Sequence, residues 1–174
     1  GRALVLNNDV TANTNGGDDI TVLIALEVDS NAVVTAADVV TLSGGASAVT
    51  GGETLQTVGT TVELYTVDNA GGGYLGSLDV DATGLDLNSG TVEVGGDILW
   101  NEAGMTVTPA VSPVTVDSDV GGAGGDITLL GASLDDGGSE RLVNFDTGAG
   151  RLRLQTVTMT NTGGAGSGIA VVAA

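Results

Sequence analysis

The sequence predicts an all-β chain wound into a parallel β-helix, and three observations carry that expectation. The first is composition. Of 174 residues, 24 are Val and 22 are Thr, β-branched residues that favour a pleated, half-buried surface. The second is period-two alternation in short runs such as Leu78-Asp79-Val80-Asp81 and Leu152-Arg153-Leu154-Gln155-Thr156-Val157-Thr158-Met159, which places aliphatic side chains on one face and polar ones on the other. The third is self-similarity. Gly95-Gly96-Asp97-Ile98 and Gly124-Gly125-Asp126-Ile127 lie within the repeat window of roughly 20–50 residues that marks solenoids.

Taken in order, the elements are short. Ala3-Leu4-Val5-Leu6 already reads as strand, and Asn15-Gly16-Gly17-Asp18 as the first turn. Ile20 to Val28 is the longest apolar stretch, interrupted by Thr21 and Glu27, and it falls far short of the ~18 residues of a membrane helix. Val34 to Val40 is the best helix candidate, yet most of its positions are β-branched. Ser43-Gly44-Gly45 and Gly71-Gly72-Gly73 punctuate the middle. After Leu78–Asp81 come Leu85-Asp86-Leu87, the Asn88-Ser89-Gly90 turn and Thr91-Val92-Glu93-Val94, and Gly137-Gly138 precedes the last long run. Gly, Asn, Asp and Ser between runs supply tight turns and positive φ. The pattern predicts about fifteen to eighteen strands at a spacing of roughly 8–12 residues.

Further repeats are imperfect. Gly16-Gly17-Asp18-Asp19-Ile20-Thr21-Val22-Leu23 matches Gly124-Gly125-Asp126-Ile127-Thr128-Leu129-Leu130, and LDVDATGLDL at 78–87 echoes LVNFDTGAGRLRL at 142–154. Degenerate repeats suit a solenoid, whose coils need only small aliphatics inside and a turn at each corner. The competing architecture is an antiparallel β-sandwich, one module or several. A sandwich usually buries an aromatic or two, whereas this chain has one Trp, one Phe and two Tyr in all. The two prolines also fit continuous ladders, which need every N–H.

The segments LNNDVTANTNGGDDITV, LDVDATGLDLNSGTVEVGGDI and VTVDSDVGGAGGDITLLGASLDDGG resemble the repeats of large secreted bacterial adhesins of the filamentous-haemagglutinin and autotransporter-passenger type. The likeness covers most of the chain and is densest from Leu75 to Met159. It implies a right-handed parallel β-helix, export to the cell surface, and a role in adhesion or matrix. It transfers no catalytic residue, and neither a secretion domain nor a membrane barrel accompanies it.

Charge and missing residue types narrow the chemistry. The chain has no Cys, His or Lys; four arginines, Arg2, Arg141, Arg151 and Arg153, face 22 acids for a net charge of -18. A disulfide scaffold, a Cys/His zinc site and a His-based triad cannot be built. Nucleic acid is not an expected partner, because such a chain repels phosphate, and no membrane insertion is expected. Arg141, Arg151 and Arg153 with Asp135, Asp136, Glu140 and Asp146 form the one grouping that could hold an acidic sugar; otherwise they are an exposed ion-pair cluster of small energetic weight. Asp18-Asp19, Asp79 with Asp81, Asp117 with Asp119, and Asp135-Asp136 offer hard oxygen ligands beside glycine turns. Calcium is therefore the one cofactor the sequence leaves open, although Asp before Gly is chiefly turn chemistry. Asp146-Thr147-Gly148 matches an aspartic-protease triplet, but its partner is absent: Asp81-Ala82-Thr83-Gly84 carries an insertion.

Residues 1–174 are thus expected to form a single β-solenoid segment with no catalytic site, either a portion of a longer chain or one protomer of a fibre. No basic n-region followed by an apolar h-region opens the sequence. Both ends are aliphatic, Ala3–Leu6 and Ile169–Ala174, and lack the capping pattern of a solenoid terminus. The expected partner is the protein itself, head to tail through Ala3–Leu6 and Ile169–Val172, with host or matrix polysaccharide as a further partner and the extracellular surface as the location. The alternatives are a carbohydrate-binding or polysaccharide-cleaving β-helix and a calcium-assisted pilin or adhesin sandwich module.

Overall fold

A computed structural model of the chain describes residues 2–12, 16–70, 72–100, 102–120, 122, 124–160 and the backbone of 169–173. Every named element is a strand: β1 (Ala3–Leu6), β2 (Val10–Ala12), β3 (Ile20–Val22), β4 (Ala25–Val28), β5 (Ala32–Ala36), β6 (Val39–Leu42), β7 (Ala46–Ala48), β8 (Thr54–Leu64), β9 (Ser77–Leu87), β10 (Thr91–Glu93), β11 (Ile98–Trp100), β12 (Thr106–Pro109), β13 (Val114–Asp117), β14 (Ile127–Leu130), β15 (Ser133–Asp135), β16 (Arg141–Asp146), β17 (Leu152–Gln155), β18 (Thr158–Thr160) and β19 (Ile169–Ala173). The turn signals at Asn15, Gly71, Gly121 and Ala123 lie outside the described residues, as do the side chains of 169–173.

All pairing between strands is parallel, and the chain winds as a β-solenoid of about 7 turns. The antiparallel sandwich is set aside by that register; among the described residues the one antiparallel contact is an isolated bridge, Ala48 to Gly73. Each coil visits three faces in turn. Face I stacks β1, β4 and β7, then, through single bridges at Val67, β10, β13, β16 and β19. Face II stacks β2, β5, the first halves of β8 and β9, then β11, β14 and β17; face III stacks β3, β6, the second halves of β8 and β9, then β12, β15 and β18. Leu26 faces Ala46, and Val116 faces Phe145, so one coil takes between 20 and 29 residues.

The alternation seen in the sequence is the inside-outside alternation of these coils. On face III the inward column runs Val40, Val62, Leu85, Val107, Leu134, all buried. On face II it runs Val34, Thr57, Val80, Trp100, Leu129. The interior accommodates more than small aliphatics: Trp100 and Phe145 meet edge-to-face, ring centroids 6.3 Å apart at 67°. Both sit in the later coils, Trp100 on β11 and Phe145 on β16.

The Gly-Gly-Asp-Ile repeat has a structural meaning. Ile98 and Ile127 pair in register and point inward. The glycine before each Asp belongs to a stack at the corner between faces I and II: a Cβ on Gly76 would strike the Gly52 carbonyl, one on Gly96 that of Gly76, one on Gly125 the Gly96 backbone, and one on Gly150 the Gly125 carbonyl. The Asp then caps the coil above. The Asp97 carboxylate accepts from the Asp126 N–H at 2.8 Å, and Asp126 accepts from the Arg151 N–H at 2.9 Å. Asn31 does the same for Thr54, and Asp9 for Val33.

Three sequence expectations shift. The Gly16–Leu23 copy leads into face III, one corner out of phase with the face II copies. The 78–87 and 142–154 segments are likewise out of phase, the first spanning faces II and III and the second faces I and II. Val34–Val40 is no helix; it falls across β5 and β6, because parallel partners on both sides hold each half as strand.

Candidate functional site

A solenoid offers function two kinds of surface: outward ladders along its sides and the exposed rungs of its ends. On the outer side of face I the register aligns Asp68, Glu93, Asp117 and Asp146 on successive rungs. On face III, Glu63 faces Asp86, and on face II Asp79 and Asp81 project from β9. Rungs lie about 4.8 Å apart, so these carboxylates repel one another. Partial burial, then Asp117 and Asp68, hold the Glu93 carboxyl above the usual range. Burial and then Glu63 do the same for Asp86, and burial and then Asp81 for Asp79. Glu102 is raised chiefly by a side-chain hydrogen bond to Asp81 and by that residue's charge. The Asp81–Glu102 pair lines an open groove of about 410 Å³ at the edge between faces II and III, together with Thr35, Thr60 and Thr83.

These shifts set a pH response. A carboxyl whose pKa is raised by folding binds its proton more tightly in the fold than in the open chain. The fold therefore gains stability as pH drops from neutrality through the raised values toward the ordinary ones, 3.8 for Asp and 4.5 for Glu, and loses that gain as these groups ionise. Thermal melts are expected to show a Tm that rises as pH is lowered from 7 toward 4. A Tm that falls steadily over that interval would contradict the repulsive ladders.

The grouping of arginines and acids does not converge. Arg141 opens β16 on face I, Arg153 lies on face II, and Asp135 ends β15 on face III. Arg153 pairs with Asp126 at 3.0 Å, a partner from the preceding coil. Asp146, Asp135 and Asp136 each accept an N–H two residues on, from Gly148, Gly137 and Gly138. Asp117 accepts from the Asp119 N–H at 2.7 Å, and Asp19 from the Val39 N–H at 3.1 Å. The Asp pairs singled out as cation ligands are thus largely engaged in turns and inter-coil caps. Among the described residues, no group of three or more His, Cys, Asp or Glu side chains is arranged to hold a metal ion, and no helix is long and apolar enough to cross a membrane. The acid columns escaped sequence reasoning because their members lie more than twenty residues apart; only the register aligns them.

The ends differ from the middle. At the first coil Leu4 is 42% exposed and Val10 39%, although both continue the inward columns of Leu26 and Val34. Leu4, Leu6, Val10, Ile20 and Val22 surround a small apolar hollow of about 30 Å³. At the seventh coil Leu154 is 42% and Met159 53% exposed, again on inward columns. Compared with known proteins, the chain matches no family model, no curated protein and no solved structure.

Proposed function

We propose that this chain is an extracellular structural or adhesive element, a rigid segment of a surface fibre or matrix built by continued stacking of β-coils. One observation carries the reading: parallel ladders stack coil on coil over largely aliphatic inward columns, an arrangement that any unstacked coil would leave with an open apolar face and an unpaired rung. Apolar area left in water costs about 25 cal/mol per Å², and unpaired strand edges are sticky. A further coil, from the same polypeptide or a neighbouring copy, removes both liabilities. The acidic side ladders fit the same role, since like charge along the flanks opposes lateral clumping and leaves axial growth. The rhythm shared with secreted adhesin repeats supports a surface location.

Electron microscopy of the native material tests this. Thin unbranched filaments, with a fibre reflection near about 4.8 Å along the axis, are the expected result. Compact, non-fibrous particles would refute the reading.

A further inference from the structure

We propose that the groove at the edge between faces II and III binds a linear aliphatic polyamine, with one ammonium group held between Asp81 and Glu102 and the methylene chain lying along the axis over Ala37 and Val58. The site runs from Thr35 on β5, through Thr60 on β8 and Thr83 on β9, to Glu102 just after β11. It lies wholly within the second to fifth coils, and it stands whether or not coils assemble into a fibre. Its size suits a small ligand: about 410 Å³ falls within the roughly 300–1,000 Å³ of small-molecule sites. Four rungs spaced about 4.8 Å apart give a trough roughly 14 Å long, the shape of an extended chain rather than of a compact ring.

The hydrogen-bonding inventory of the groove is one-sided. Among the described residues that line it, none carries a side-chain N–H; the polar ones are three threonines and two acids. The Thr60 hydroxyl donates its proton to the Ala37 carbonyl at 3.3 Å, and the Thr83 hydroxyl donates to the Thr60 carbonyl at 2.9 Å. Both threonines are exposed, and what their hydroxyls have left to offer a ligand is lone pairs. The ligand must therefore bring the donors. Asp81 and Glu102 share a side-chain hydrogen bond, which two carboxyls make only with a proton between them. An ammonium group brings three N–H donors and a positive charge, so it takes the place of that proton and lets both carboxyls ionise. Asp79, on the same side of β9 as Asp81, and the net charge of -18 strengthen the attraction. Other ligand classes fit less well. A sugar finds no aromatic ring here to stack on. Calcium asks for six or more oxygens, and among the described residues no three acids are arranged to supply them. Ala37 and Val58 give the methylene chain an apolar lining.

Isothermal titration of the full chain with spermidine, in about 0.15 M salt to screen diffuse attraction, tests the assignment. One saturable site per chain is expected. Glu102→Gln and Asp81→Asn should each weaken it at least about tenfold, since each removes a charge-assisted hydrogen bond. Glu93→Gln removes the same charge from face I and should leave the site unchanged. Thermal melts check that all three variants are folded. Butylamine, which carries a single ammonium on a short chain, should bind more weakly than spermidine, and an equal concentration of calcium should not displace spermidine. Equal losses in all three variants would reduce the effect to general attraction by an acidic surface and overturn the site. Displacement by calcium would make it a metal site instead, and the absence of any saturable binding would remove it altogether. Filaments in the native material, or their absence, bear on the fibre reading alone.

Discussion

Replacing Gly125 with alanine is expected to destabilise the solenoid by more than about 3 kcal/mol, a large share of the roughly 5–15 kcal/mol that holds an ordinary domain folded. The added Cβ meets the backbone of Gly96 and the Asp97 nitrogen. Those atoms belong to the main chain of the neighbouring coil, so no side chain can swing aside. The whole corner must move, breaking the cap from Asp97 to Asp126 and the bond from the Ser118 hydroxyl to the Gly125 carbonyl at 2.7 Å. Gly96→Ala should behave alike, since its Cβ strikes the Gly76 carbonyl. Gly16→Ala is the control: no atom lies within 4 Å of the new methyl and its φ is not positive, so the change should be neutral or stabilising by about 0.4–1 kcal/mol. Urea titration followed by circular dichroism reads all three. A Gly125→Ala midpoint equal to wild type would mean that the stacked corner is looser than described.

The second large effect is expected at Trp100. Its side chain is wholly buried and packs against Phe145. Truncation to alanine removes the largest buried side chain and leaves a cavity between β11 and β16 that a rigid ladder cannot close, costing about 3–5 kcal/mol. Trp100→Phe should cost much less. It keeps an aromatic partner for Phe145 and deletes an indole N–H that has no hydrogen-bond partner among the described residues, a group whose burial is itself unfavourable. If both substitutions cost the same, shape fit rather than buried volume governs the site.

Much of this architecture was legible in the sequence because a solenoid writes its rules locally. Alternation fixes which side chains point inward, as Leu85 and Val107 do. Gly-Gly-Asp-Ile joins a close backbone approach, a between-coil cap and a core residue in one tetrapeptide. What stayed hidden depends on register. Coil length varies, so similar words fall on different corners, as Gly16–Leu23 and Gly124–Leu130 do. The column Asp68–Glu93–Asp117 joins residues that no local pattern links.

The spacing between coils has a further consequence for how such a chain acquires its shape. Nearly every ladder bond reaches one circuit back, 20 to 29 residues away, and none of those distances grows as the chain lengthens. Loop-closure entropy rises with only about (3/2)RT times the logarithm of loop length, so the penalty for adding a coil is nearly constant, and each finished rung is the template for the next. Nucleation is the slow event, and growth after it is local in space. A chain released residue by residue from one end could therefore fold behind its point of emergence, each stretch settling on the edge already laid down, without waiting for distant sequence.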